Sequence, residues 1–141
     1  MTGCELCEHG GGLPVWSDER LRVVRVDDDG FPAYYRVIWN VHVPEFSDLA
    51  YDDREHCMNV VAAVERVLRE QLSPMKVNLA SLGNLTPHLH WHVLARFEWD
   101  SHYPNPIWAA AKRRLERPAM EQLGRPMLEV DRAVLAVLGE A

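Results

Sequence analysis

A chain of 141 residues with 48% hydrophobic and 26% charged side chains has the length and composition of one globular domain with a core of its own. A formal charge of −6 argues against a nucleic-acid surface held by bulk positive charge, while a small phosphate ligand needs only a local pocket. No apolar run approaches the roughly 20 residues that cross a bilayer, and Met1-Thr2-Gly3-Cys4 does not read as a signal peptide, so the expected location is cytoplasmic.

Three cysteines make a poor disulfide framework, so Cys4 and Cys7 read as thiols or metal ligands before a bridge. His9-Gly10-Gly11-Gly12 follows as a flexible linker or turn, and Trp16 to Glu19 as a short connector. Leu21 to Val26 is predicted to be a strand, ended by the turn-forming Asp27-Asp28-Asp29-Gly30. That acidic trio suits a solvated turn, and its place just past a strand also suits a carboxylate that binds a ribose hydroxyl.

Tyr34 to Asn40 is the next strand, with His42 just behind it. Ser47 or Asp52 is expected to cap the helix that follows. Cys57, Val61, Val64, Leu68 and Leu72 fall at spacings of three and four, with Val60 and Val67 beside them. One face of that helix is therefore buried, with Cys57 a small core residue, and Ser73-Pro74 ends it. Met75 to Leu82 reads as a third strand, and Gly83-Asn84 turns the chain into a fourth. After Phe97, Tyr103-Pro104-Asn105-Pro106 is irregular, Ile107 to Glu116 has helical composition, and Met127 to Leu138 fits an amphipathic terminal helix. The order predicts one α+β domain with a mostly antiparallel sheet.

The fourth strand is the centre of interest. From His88 the chain alternates, with His88, His90, His92, Leu94 and Arg96 in one set and Leu89, Trp91, Val93, Ala95 and Phe97 in the other. Period-2 alternation places the three imidazoles on one face. His-x-His on a strand puts two rings about 6.6 Å apart along the backbone, close enough to share an ion, whereas His88 and His92 would be about 13 Å apart. A neutral imidazole can also attack an electrophile while a neighbour moves protons. Both readings stay open on spacing alone.

His88-Leu89-His90-Trp91-His92-Val93-Leu94 resembles the histidine triad pattern, His-φ-His-φ-His-φ-φ with φ hydrophobic, at every position. The resemblance extends to Asn78, Gly83 and Asn84, near where that family supplies phosphate-contacting groups, and to His42 ahead of Ser47-Asp48-Leu49. It implies a sheet of about five strands with a long helix, a single domain with its core at about residues 4–97, and a helical extension at about 98–141. It also implies a nucleotide hydrolase or nucleotidyl transferase that splits a nucleoside phosphate, dinucleoside polyphosphate or phosphoramidate at the α-phosphorus. Carried over, His90 is the nucleophile, His92 serves the phosphate or leaving group, and His88 sets the tautomer of His90 through its backbone carbonyl. Asn78, Gly83 and Asn84 would hold phosphate and Asp27 the ribose. The resemblance further implies a structural zinc on Cys4, Cys7, His42 and His88, no organic cofactor, a purine nucleotide or nucleotide conjugate as ligand, and a homodimer. A purine-nucleotide-binding module without turnover, and a zinc enzyme using His88 and His90 as ligands, are the other readings. Leu85 stands where that family often has Ser or Thr, and the step from Asn78 to His88 is one residue shorter than in many members. Both departures fall in the phosphate loop.

Overall fold

The computed structural model describes residues 3–139. One antiparallel sheet of five strands forms the centre, in the order β1-β2-β3-β5-β4. Its strands are β1 (Leu13–Ser17), β2 (Leu21–Arg25), β3 (Tyr34–Trp39), β4 (Lys76–Ala80) and β5 (His90–Arg96). Helix α2 (Tyr51–Leu72) and helix α4 (Met127–Leu138) are the long helices; α1 (Glu5–Glu8) and α3 (Ala119–Gln122) are single turns. The fold class is α+β, as the element order implied. No described helix is long and apolar enough to cross a membrane.

The sheet has two unlike faces because each strand alternates. Val23, Tyr35, Val37, Trp39, Val93 and Ala95 face the helices and pack with Cys57, Val61, Val64 and Leu68 of α2 and with Val130 and Val134 of α4 in one large core. At roughly 25 cal/mol per Å² of apolar surface, this core is the main source of stability. Asp131 ties α4 to the strands below, accepting hydrogen bonds from Arg25 Nε at 2.9 Å and from the Tyr35 hydroxyl at 2.6 Å. On the other face, Val24 and Ile38 form a small cluster with Cys4 and Leu6. The N-terminal segment covers this side. Arg22 holds it there by donating to the carbonyls of Leu6, His9 and Gly10.

Several details depart from the expectations. Trp16 to Glu19 is not simply a connector: Leu13–Ser17 is an edge strand whose register with β2 slips between Pro14 and Trp16. The proline and the irregularity erase the alternation that would have shown it. Gly11 and Gly12 are packed and not a loose linker. A Cβ on Gly11 would come within 2.8 Å of Ile38 Cδ1, and one on Gly12 within 2.7 Å of the Arg25 carbonyl. Helix α2 has Ala50 at its N-cap position, so no side chain caps it. Ser47 lies in a preceding turn of 3₁₀ helix, where the Asp48 carboxylate accepts the Glu45 amide at 3.0 Å. The C-terminal end is as expected, with Ser73 in the left-handed region at φ 47°.

Ile107 to Glu116 is irregular and largely exposed, not helical. The amides of Lys112 and Arg113 donate to the Ser101 carbonyl, so the segment is a strap bound to the sheet. Helical composition without a face to bury does not hold a helix. The turn into β5 is also longer than Gly83-Asn84 alone, because β5 starts only at His90 and residues 81–89 form a loop.

Candidate active site and metal cluster

His90 and His92 point from β5 to the sheet face opposite the helices. Both are nearly buried, at 7% and 5% exposure, with ring centroids 4.9 Å apart. His88 is fully buried but precedes the strand, and its ring turns away towards the N-terminal segment. One imidazole face of three is thus a pair plus one.

The peptide of His88 nevertheless serves the pair, since His90 Nδ1 donates to the His88 carbonyl at 2.6 Å. That bond fixes the proton on Nδ1 and leaves Nε2 with a free lone pair. Burial lowers the His90 pKa, and the Arg36 charge adds to this against the opposing pull of the His88 carbonyl, so the ring is neutral at pH 7. His92 is pushed down to about 4, by burial first and then by His90 and Arg36. Its Nδ1 meets the Tyr34 hydroxyl at 2.6 Å. Burial raises the Tyr34 pKa, so the phenol keeps its proton.

A cavity of about 350 Å³ opens at these rings, lined by His90 and His92 together with Tyr34, Arg36, Leu82, Gly83, Asn84, Leu85, Thr86 and Trp108. Of the residues expected to hold phosphate, Gly83 and Asn84 are in this lining. Asn78 and Asp27 do not line it. The Asn78 side-chain Oδ1 accepts from Arg96 Nη1 at 2.8 Å, and Asp27 is exposed just past β2. Tyr34, Arg36 and Trp108 were not among the residues singled out from the sequence. The strand alternation that puts Tyr34 and Arg36 opposite Leu94 and His92 is the signal that could have found the first two.

Trp108 arrives by another route. Arg96 and Asp100, each 2% exposed, form a doubly bonded pair at 2.9 and 3.1 Å. Arg96 also donates to the Asn105 carbonyl, and Arg113 to the Asp100 carbonyl. These bonds clamp the strap to the end of β5, and the Trp108 ring lies against His92 with centroids 4.9 Å apart.

The second cluster lies beside the first. Cys4, Cys7, His42 and His88 present four ligand atoms, all within 4.8 Å of one another. His88 Nδ1 is 3.5 Å from Cys4 Sγ, 3.4 Å from Cys7 Sγ and 3.2 Å from His42 Nδ1, and Cys7 Sγ is 3.3 Å from His42 Nδ1. Zinc bonds of about 2.3 Å to sulfur and 2.0–2.1 Å to nitrogen put tetrahedral donors about 3.3–3.8 Å apart. The separations match. His88 Nε2 donates to the Trp39 carbonyl at 2.6 Å, which turns the Nδ1 lone pair to the cluster. Burial raises the Cys4 thiol, but the amides of Cys7 and Leu6 and the thiol of Cys7 outweigh it, so its pKa falls below the ordinary value. The residues present fit a four-coordinate ion.

A five-stranded antiparallel sheet that carries a buried His-x-His-x-His segment beside a long helix defines a histidine triad fold. The chain belongs to the HIT domain family, whose pattern matches residues 14–99. Among solved structures, a histidine triad protein from Bradyrhizobium japonicum superposes with a TM-score of 0.74 at 24% identity, each chain covered over 92% of its length. A histidine triad protein from Marinobacter aquaeolei gives 0.72 at 21% identity, covering 97% of this chain and 95% of that one. A zinc-bound histidine triad family protein from Mycobacterium smegmatis gives 0.62 at 20% identity, covering 96% and 95%. No curated protein matches the chain.

Proposed function

We propose that the protein is a nucleotide hydrolase or nucleotidyl transferase that cleaves at the α-phosphate through a covalent nucleotidyl-His90. The observation that carries this is the bond from His90 Nδ1 to the His88 carbonyl, which leaves Nε2 unprotonated at the cavity wall. A neutral imidazole attacks phosphorus at pH 7 without a base to deprotonate it. With the Tyr34 hydroxyl donating to Nδ1 of His92, the His92 proton sits on Nε2, where it can bond a phosphate or leaving-group oxygen. Gly83 and Asn84 hold the phosphate, and Asn78 steadies Arg96. A purine nucleotide or a conjugate of one is the ligand class.

Cys4, Cys7, His42 and His88 would hold a zinc ion as a closed set without an open position. Such a site supplies folding energy and no Lewis acid to the reaction. It also speaks against a catalytic zinc on His88 and His90, because the two rings serve different clusters. The protein is further proposed to act as a homodimer in the cytoplasm.

The test is a quenched single turnover with nucleotide labelled at the α-phosphate. Wild-type protein should carry acid-labile, base-stable label, and His90→Asn should carry none while binding nucleotide nearly as well. Turnover undiminished in His90→Asn would overturn the assignment.

A further inference from the structure

We propose that Tyr34 is a positioning residue whose proton also moves: as His92 gives up its Nε2 proton, it takes the Tyr34 hydroxyl proton at Nδ1. This deepens the role given to His92 and rests on His90 being the nucleophile.

A histidine that donates a proton usually starts as an imidazolium. His92 does not. It is 5% exposed, and burial, His90 and Arg36 push its pKa down to about 4, so almost none of it is charged at pH 7. A neutral ring that lost its Nε2 proton unaided would become a buried imidazolate, which is a costly anion. The Tyr34 hydroxyl, 2.6 Å from Nδ1, removes that obstacle. When its proton crosses as the Nε2 proton leaves, the ring stays neutral and changes only its tautomer.

The negative charge then rests on Tyr34, and a cation stands ready for it. The Arg36 guanidinium carbon lies 5.8 Å from the centroid of the Tyr34 ring. No carboxylate among the described residues pairs with Arg36. Its Nη1 donates to the Gly11 carbonyl at 3.0 Å, and its Nε is buried without a partner among the described residues. Such a cation is costly at rest but stabilises an anion that forms beside it during reaction. Before reaction, burial raises the Tyr34 pKa, Arg36 opposes this and Asp28 adds to it, so the phenol is the resting form.

In the first half-reaction His90 Nε2 bonds to the α-phosphorus, the bond from phosphorus to the leaving atom breaks, and that atom keeps the electron pair. It receives the His92 Nε2 proton, and His92 Nδ1 receives the Tyr34 proton. The result is a positively charged nucleotidyl-His90, a neutral His92 and a tyrosinate beside Arg36. In the second half-reaction water attacks phosphorus and the electron pair of the P–N bond returns to His90. The water proton goes to His92 Nε2, and the Nδ1 proton returns to Tyr34. The relay is reset.

The experiment uses the intact protein and two probes. One is the p-nitrophenyl ester of AMP, whose leaving oxygen needs no proton; the other is AMP joined to an alkylamine, whose nitrogen does. Single-turnover rates are measured for wild type and Tyr34→Phe between about pH 5 and 8 and in mixtures of light and heavy water. On the amine probe, wild type should show a curved dependence on deuterium fraction, as two moving protons require. Tyr34→Phe should lose about 100-fold or more on that probe and little on the ester. Its remaining rate should climb towards low pH, where an imidazolium donates alone, and its deuterium dependence should be linear. Equal losses on both probes would overturn the relay and leave Tyr34 a structural support. So would a linear deuterium dependence in wild type, a measurement that needs no variant to fold. Absence of covalent label from either probe on wild type would instead remove His90 as nucleophile, and the relay with it.

Discussion

His88 divides its two halves between the two clusters. Its ring lies among Cys4, Cys7 and His42, and its carbonyl accepts the His90 proton. Replacing Cys4 and Cys7 by Ser removes both thiolates and leaves the carbonyl in place. The Cys4→Ser/Cys7→Ser variant should contain little zinc by metal analysis, where wild type purified without chelator should contain about one per chain. Structural zinc is worth about 10–16 kcal/mol in isolated small domains, but this chain also has a large core, so the variant should melt lower and not lose its fold. Normal zinc content in the double variant would refute the cluster.

Helix α2 and the strap show what the sequence displays and what it hides. The 3–4 spacing from Cys57 to Leu72 named the buried face of α2 correctly, and those residues are buried. The end of α2 at Ser73 was also legible, since the following proline forbids continuation. Ser73 holds a left-handed φ of 47° that Gly adopts at no steric cost. Ser73→Gly should raise stability by about 0.5–1 kcal/mol, read as a few degrees in Tm; a lower Tm would show that the cap is unstrained. The strap was not legible. It is held by Arg96, Asp100 and backbone groups, which leave no period in the sequence, and its one contribution to the cavity is Trp108. Likewise His88 has the alternation of a strand residue, but tertiary contacts with the N-terminal segment put it outside β5.

At the scale of the whole molecule, both end strands of the sheet, β1 and β4, pair on one side only among the described residues. Helix α4 packs near β1, and large apolar side chains are exposed beside the outer edge of β4. Met75 and Leu79 are about half exposed there, and Leu82 beside them. An open edge with apolar neighbours is a site of association that proteins cover or blunt. Sedimentation at micromolar concentration should find a species of twice 16.2 kDa, and Leu79→Lys should shift it to monomer. A monomer in the wild type would rule this edge out as the interface.

The open sheet face is roofed by stretches that flank the strands in sequence: the N-terminal arm gripped by Arg22, and the strap that carries Trp108. This fixes an order of events during synthesis. A nascent chain that has emerged as far as Arg96 has all its strands and its triad, but the imidazoles of His90 and His92 still face water on one side. The cavity closes only when the strap beyond β5 has left the ribosome and docked on Arg96. The proposed reaction is thereby reserved for molecules whose strap has docked.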